Sequence, residues 1–419
     1  MNQSGRSWDD AEPETAADEP DPWFRPVWDD LADETDSPFP APRSASSSTR
    51  SPARSPGGAA RGGPDATLLA ALATAQEALA RLDAMAEMAS EPVRAGLIAR
   101  LAYAEAAGLL AAQGVTAHPL DLALRASERI GRRELWTRGR PRRAGPTWAL
   151  DDVWLRVDEK ITAALALARL LQRLPAADNP LVSTARAAWL GPLVPEAGGF
   201  DDQRFARWRD AHVPDGRRAA PLPALLRAAE VASSWMESGT ADRPDAAQAL
   251  AVAAGFLRRA GALRTIPLPA WAGWTALCRP DDPAVLPRLR GDVTARLAPD
   301  GAAWPVVFLH MVAEAARAGS RTLAGLREAE AAGVALAAGQ DRRSRLPAAI
   351  TLLLRHPALT APALARQLVI TPQAALRILG GLRAAGLVSE VTGRKSFQEF
   401  GILCGHGHRL QKNVQPTVT

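Results

Sequence analysis

The residues with the clearest chemical potential lie towards the C-terminal end of the chain: Thr371, Gln373, Ala374 and Arg377, followed by Arg394 and Lys395. Gln and Arg are the side chains that pair in two-point fashion with the edges of adenine and guanine in the major groove of a duplex. A threonine at a helix start, with free backbone N–H groups behind it, suits a phosphate oxygen. Arg394 and Lys395 add charges whose attraction to a nucleic-acid backbone weakens with salt. The chemistry implied is reversible recognition of a polyanion. It requires an element that holds these side chains outward.

Residues 346–400 spell out such an element. Leu346 to Arg355 forms an amphipathic helix, and His356-Pro357 breaks it, because proline disfavours helix at the residue before it. Thr360 is placed to cap a second helix, Ala361 to Leu368, and Thr371 to cap a third with Pro372 at its first position. Val369-Ile370 turns the chain between the two. On the third helix Ala375, Leu376, Leu379 and Leu382 are expected to share a buried face, leaving Thr371, Gln373, Ala374 and Arg377 opposite. Gly386 ends that helix. Leu387 to Val391 alternates as a strand, Thr392-Gly393-Arg394-Lys395 turns, and Ser396 to Phe400 returns. This is the layout of a winged helix-turn-helix, whose third helix enters a major groove N-terminus first while the wing tip meets the backbone or the adjacent minor groove. Thr360 joins the expected contact residues. Three helices and a hairpin also build protein-interaction modules or structural caps. The small Ala374 and Ala375, the basic tip and the local charge favour double-stranded DNA.

That charge is unevenly placed. Residues 1–36 hold twelve acids and two arginines, a sum of −10, and residues 37–64 hold four arginines and no acid. Residues 342–419 sum to +9, whereas the whole chain is only +5. A compact basic end argues for a polyanionic partner rather than for a fold. Arginines outnumber lysines 47 to three, which reads as coding bias.

The rest of the 419 residues must position this end. The first 64 are rich in Pro, Asp, Ser and Gly and are expected to be disordered. Within them Trp23, Phe24, Val27, Trp28 and Leu31 form an aromatic island, either a docking segment or a piece that lies against the chain's own body. From Asp65, a candidate N-cap, the pattern is helical. Leu68, Leu69, Leu72, Leu79 and Leu82 recur at helical spacing. Further helices are expected from Pro92 to Gln113 (stopped at Gly114), over 119–131, from an Asp151-Asp152 cap to Pro175, and over 221–237, 244–260, 283–297, 305–318 and 320–338. Abundant alanine and scarce strand-like alternation make the fold class mainly α. The expected division is a tail over 1–64, a large multi-helix domain over 65–341, a small winged helix-turn-helix with a two-stranded wing over 342–402, and a flexible tail over 403–419.

Other constellations admit plainer readings. Arg132, Arg133, Arg138, Arg140, Arg142 and Arg143 form either a phosphate clamp, with Arg138, Arg140, Arg142 and Arg143 as additional DNA contacts, or a solvated loop. Asp151, Asp152, Asp158 and Glu159 could hold Mg²⁺ in a nuclease, but helix-start charges explain the first two. Asp201 and Asp202 admit the same cap reading. Cys404, His406 and His408 lack a fourth zinc ligand, so no metal and no cofactor is expected. The twelve tryptophans are spread singly, as core anchors are. No phosphate-binding GxxxxGK[ST] loop, HExxH or GxSxG occurs, so nothing points to an enzyme. Two cysteines, no basic-then-apolar leader and no run of about 18 apolar residues favour a cytoplasmic protein without a membrane span.

The segments ELWTRGRPRR (134–143), ALDDVWLRVDEKI (149–161), FLRRAGALRTIPLPAWAGW (256–274) and VSEVTGRKSFQEFGI (388–402) resemble a family of α-proteobacterial proteins, many plasmid-borne in rhizobia. They pair a helical domain of unknown function with a C-terminal helix-turn-helix. The resemblance implies a DNA-binding, regulatory or plasmid-associated protein. FLRRAGALRTIPLP, then WPVVFLHMVAEAA, then the winged helix also resembles the C-terminal half of Fic-domain proteins. Their HPFxxGNGR loop is absent, since neither His118-Pro119 nor His356-Pro357 continues in that way. Homodimerisation is expected from the paired half-sites that such readers use. The alternatives are an enzyme in the helical domain, marked by a polar pocket within 90–300, or an interaction scaffold, marked by a large apolar patch.

Overall fold

A computed structural model describes residues 66–113, 115–127, 148–177, 181, 190, 193, 200–213, 222–240, 246–277, 304–341, 343–391, 398–402 and 404, with the backbone alone for 148–157, 275 and 276. Outside them lie the acidic segment with its aromatic island, the Asp65 and Gly114 helix signals, the Arg132–Arg143 run, the helix expected over 283–297, the turn bearing Arg394 and Lys395, and His406 and His408. The described residues fall in one compact unit, Gly62–Thr419.

In order, the elements are α1 (Ala66–Glu87), α2 (Glu91–Ala112), α3 (Pro119–Ser127), α4 (Trp148–Arg173) with a short 3-10 turn (Leu174–Ala176), α5 (Asp202–His212), α6 (Ala224–Glu237), α7 (Ala246–Arg259), α8 (Trp271–Leu277) and α9 (Trp304–Ala337). There follow α10 (Leu346–Arg355), β1 (Leu359–Thr360), α11 (Ala361–Leu368), α12 (Pro372–Ala384), β2 (Ser389–Glu390) and β3 (Glu399–Gly401). The chain is mainly α, as its composition implies, with a small wing-like sheet at the C-terminal end.

Two helices organise the packing. α9 runs against α1, α2, α6, α8 and α10, and α2 against α3, α4, α8 and α10. By length and composition α2 could also cross a membrane, but here it is a core helix, with 61% of its most apolar window buried. The tryptophans act as anchors. Trp235 is fully buried and its indole N–H donates to Gln248 Oε1 at 3.2 Å, while Trp304 donates to the Ala229 carbonyl at 2.9 Å. Phe200, Phe205 and Trp208 gather around Trp235, with the Trp208 and Trp235 rings 5.0 Å apart and edge-on.

Two expectations are corrected. Residues 305–318 and 320–338 form one continuous helix of 34 residues, α9. Gly319 is no stop: a Cβ there would lie 2.7 Å from Leu82 Cδ2 and 3.0 Å from Leu101 Cδ2, so the glycine admits α1 and α2 against the helix. Ser320 bonds back to the Ala316 carbonyl at 3.0 Å, which keeps its hydroxyl within the helix. Helix α4 starts at Trp148, so Asp151 and Asp152 lie inside its first turns and do not cap it. The hairpin is joined by a third strand, giving the order β1-β3-β2.

Two carboxylates hold a loop that the family resemblance singled out. Asp83 of α1 accepts backbone N–H bonds from Arg264, Thr265 and Ile266 at 2.9–3.0 Å. Glu105 of α2, fully buried, accepts from Ala270, Trp271 and Ala272 at 2.7–2.9 Å and so caps α8 from another helix. Burial pushes the Glu105 carboxyl up to about 7, against the pull of the three amides towards the ionised form.

Candidate nucleic-acid interface

The helix-turn-helix is built by local signals that the structure realises at atomic detail. Thr360 Oγ accepts from the Ala363 N–H at 3.2 Å and starts α11; Thr371 Oγ accepts from the Ala374 N–H at 3.2 Å and starts α12. Both helices carry proline in their first turn. Gly386, at φ 73°, closes α12 in a Schellman arrangement: the Leu387 N–H reaches the Leu382 carbonyl at 2.9 Å and the Gly386 N–H reaches that of Arg383 at 2.9 Å. The turn between α11 and α12 closes in the same way, the Ile370 N–H reaching the Ala365 carbonyl at 3.0 Å. There the left-handed residue is Val369, at φ 54° and 87% exposed, a conformation that a β-branched side chain resists.

Ala375, Leu379 and Leu382 are buried as expected, in the core to which Leu364 and Leu368 of the adjoining α11 also belong. Leu376, expected in that face, is instead 47% exposed, and Ile378 takes the flank. At about 100° per residue, Gln373, Arg377, Gly380 and Ala384 align on the outward side, with Leu376 and Arg383 beside them. Thr371, Gln373 and Arg377 are exposed there, whereas Ala374 is half-buried. Thr360 is also half-buried, and its backbone pairs with Glu399 in the sheet, so much of it serves the fold. Arg366 and Gln367 on α11 are exposed as well. The sequence did not single out Arg366, Gln367 or Arg383, and its helical repeat put Leu376 on the buried face. Arg383 was detectable from its spacing to Leu376 and Gly380; the side that Leu376 takes was not.

The segment that builds the helix-turn-helix is strongly basic in sequence. From residue 342 to residue 389 the chain carries seven arginines and no carboxylate. One of these, Arg355, pairs with Glu91 of α2.

The sheet supports the wing. β3 pairs antiparallel with β2 through Ser389↔Gly401 and Glu390↔Phe400, and with β1 through Leu359↔Phe400. β2 is shorter than the expected Leu387–Val391, and β3 runs on to Gly401, one residue beyond the expected end at Phe400. Arg394 and Lys395 lie outside the described residues, as do Arg138, Arg140, Arg142 and Arg143.

The module is docked on the helical body. Arg100 of α2, half-buried at the junction, donates to the Leu354 and His356 carbonyls at 2.9 and 3.3 Å, where α10 ends. Burial lowers the pKa of its guanidinium and that of the His356 ring, the latter with help from Arg100. Cys404 is half-buried, packs against Gly325 of α9 and has its thiol pKa raised by burial.

The remaining candidates resolve into structural roles. Asp201 caps α5 through the Gln203 and Arg204 N–H groups at 2.9 Å. Asp158 pairs with Arg125 at 2.8 Å. His118 Nδ1 accepts from Leu120 N–H at the start of α3, and His356 ends α10. Among the described residues no three His, Cys, Asp or Glu side chains gather as a metal site. A cavity of about 10 Å³ between α6, α7, α8 and α9 is lined by apolar groups such as Leu250, Trp304 and Phe308.

Comparison with known proteins agrees with this geometry. Over 219 residues the chain is 29% identical to the uncharacterized protein y4cF of Sinorhizobium fredii (strain NBRC 101917 / NGR234), in an alignment covering 52% of this chain and 51% of that protein. The chain thus spans about half the length of that relative. Residues 346–403 match the family model described as an HTH DNA binding domain, so the chain carries a C-terminal helix-turn-helix of the DNA-binding kind.

Proposed function

We propose that this protein binds double-stranded DNA sequence-specifically through α12, in transcriptional regulation or a plasmid-associated role. One observation carries the reading: Thr371, Gln373 and Arg377, at the leading end of α12, are exposed within a stretch that has seven arginines and no carboxylate. Gln373 and Arg377 are the base-reading side chains. Thr371, whose oxygen already accepts from Ala374, keeps its hydroxyl proton for a phosphate. Arg394 and Lys395 are backbone contacts from the wing, and Arg138, Arg140, Arg142 and Arg143 are additional ones. Two copies bind paired half-sites, and the protein works in the cytoplasm.

The test is selection of random duplexes on the full-length protein, followed by titration of the recovered duplex. Arg377→Ala should weaken binding by about tenfold or more and relax preference at one position. Neutralising Lys395 should weaken all sequences alike and reduce the salt slope by about 1. Failure to enrich any sequence at low salt would refute the reading. A monomer in light scattering of the DNA complex would refute the paired arrangement.

A further inference from the structure

Resting on the DNA-binding reading above, we infer that Leu376 reads the C5-methyl group of a thymine in the major groove, beside the contacts of Gln373 and Arg377, and that Gly380 gives the neighbouring backbone the clearance to do so. Thymine alone among the bases places a methyl group in that groove, and an aliphatic side chain is its natural complement. Leu376 is the large apolar side chain on the exposed side of α12, 47% exposed where the repeat of the helix could have buried it. It is one turn beyond Gln373 and adjacent to Arg377, so a groove that receives those two also receives Leu376.

The glycines that follow point the same way. Gly380 and Gly381 sit inside α12, where glycine weakens a helix. Among the described residues, a Cβ at either position would meet no atom within 4 Å beyond the helix's own backbone. Gly380 lies one turn past Leu376 on the same side, about 12 Å from the helix start. A missing side chain there lets the axis sink far enough for the short Leu376 side chain to touch a base edge. The bland alternative is a solitary surface leucine, of which proteins have many. It leaves the exposed glycine pair unaccounted for.

The experiment uses the full-length protein and the duplex recovered by selection, resynthesised with deoxyuridine replacing thymine at one position at a time. Loss of the methyl at the contacted position should weaken wild-type binding about fourfold, the effect of burying one methyl-sized group. Leu376→Ala should bind the thymine and deoxyuridine duplexes equally while keeping the Gln373 and Arg377 preferences. Gly380→Ala should raise the melting temperature, through helix propensity alone, yet lower DNA affinity several-fold. Equal wild-type affinity for every substituted duplex would overturn the inference, as would undiminished discrimination in Leu376→Ala or unchanged affinity in Gly380→Ala. If no duplex is enriched at all, the DNA-binding reading itself fails, a result distinct from these.

Discussion

The Arg100 guanidinium of α2 donates to the Leu354 carbonyl of α10 at 2.9 Å, at the point where the first helix of the helix-turn-helix ends. It also donates to the Gly96 carbonyl of its own helix at 3.1 Å and to His356 at 3.3 Å. A cation at a helix C-terminus meets the negative end of the dipole and satisfies carbonyls that the helix leaves open. Beside it, a Cβ on Gly96 would lie 2.0 Å from the Leu354 oxygen, so the two helices cross backbone to backbone. The DNA-binding module is thereby clamped to the helical body.

Arg100→Met removes the fork while keeping the aliphatic volume. The α10 carbonyls are then buried without donors, and global stability should fall by about 1–3 kcal/mol. Urea denaturation measures this. Lys at the same position should rescue only part, since an ammonium cannot span both carbonyls in the planar geometry of a guanidinium.

Glu105 makes stability pH-dependent in a defined direction. Its folded pKa, about 7, lies above its ordinary value of 4.5, so the folded state holds this proton more tightly. The stabilisation is complete below about pH 4.5 and is lost as pH rises through about 7, a change on the order of 3 kcal/mol. His356 acts oppositely, because its lowered pKa makes stability fall as pH drops below 6.5. Glu105→Gln should weaken the α8 cap and cancel the loss between pH 5 and 7. Denaturant midpoints across that range, compared with wild type, isolate the contribution.

Val369 is strained and contributes little packing. Replacing it with glycine should raise stability by about 1 kcal/mol, since the left-handed conformation costs an L-residue about 1–2 and glycine repays part as lost chain entropy. Val369→Ala should help less. Thermal melts of the full-length protein provide the comparison.

Thr371→Ala should lower stability by about 1 kcal/mol through loss of the cap. Thr371→Ser should restore it. If the hydroxyl also meets a phosphate, the alanine variant loses DNA affinity beyond any effect of unfolding, and the serine variant recovers both properties in a binding titration.

The helix-turn-helix was legible because its signals are local. Thr360, Pro362, Thr371, Pro372 and Gly386 each act on backbone atoms within five residues, so spacing alone locates the ends of α11 and α12. The mainly α class was legible for the same reason, in alanine content and helical repeat. Contacts across the chain were not. Whether Gly319 breaks α9 depends on Leu82 and Leu101, more than 200 residues away. β1 is two residues long and exists because β3 pairs with it. Asp83, Glu105 and Arg100 look like surface charges of amphipathic helices until the loop, helix and carbonyls they satisfy are brought to them. Leu376 belongs with this group. A helical repeat permits either side for a residue at the edge of an apolar stripe, and only the packing of α12 against α11 and the core decided that this leucine faces out.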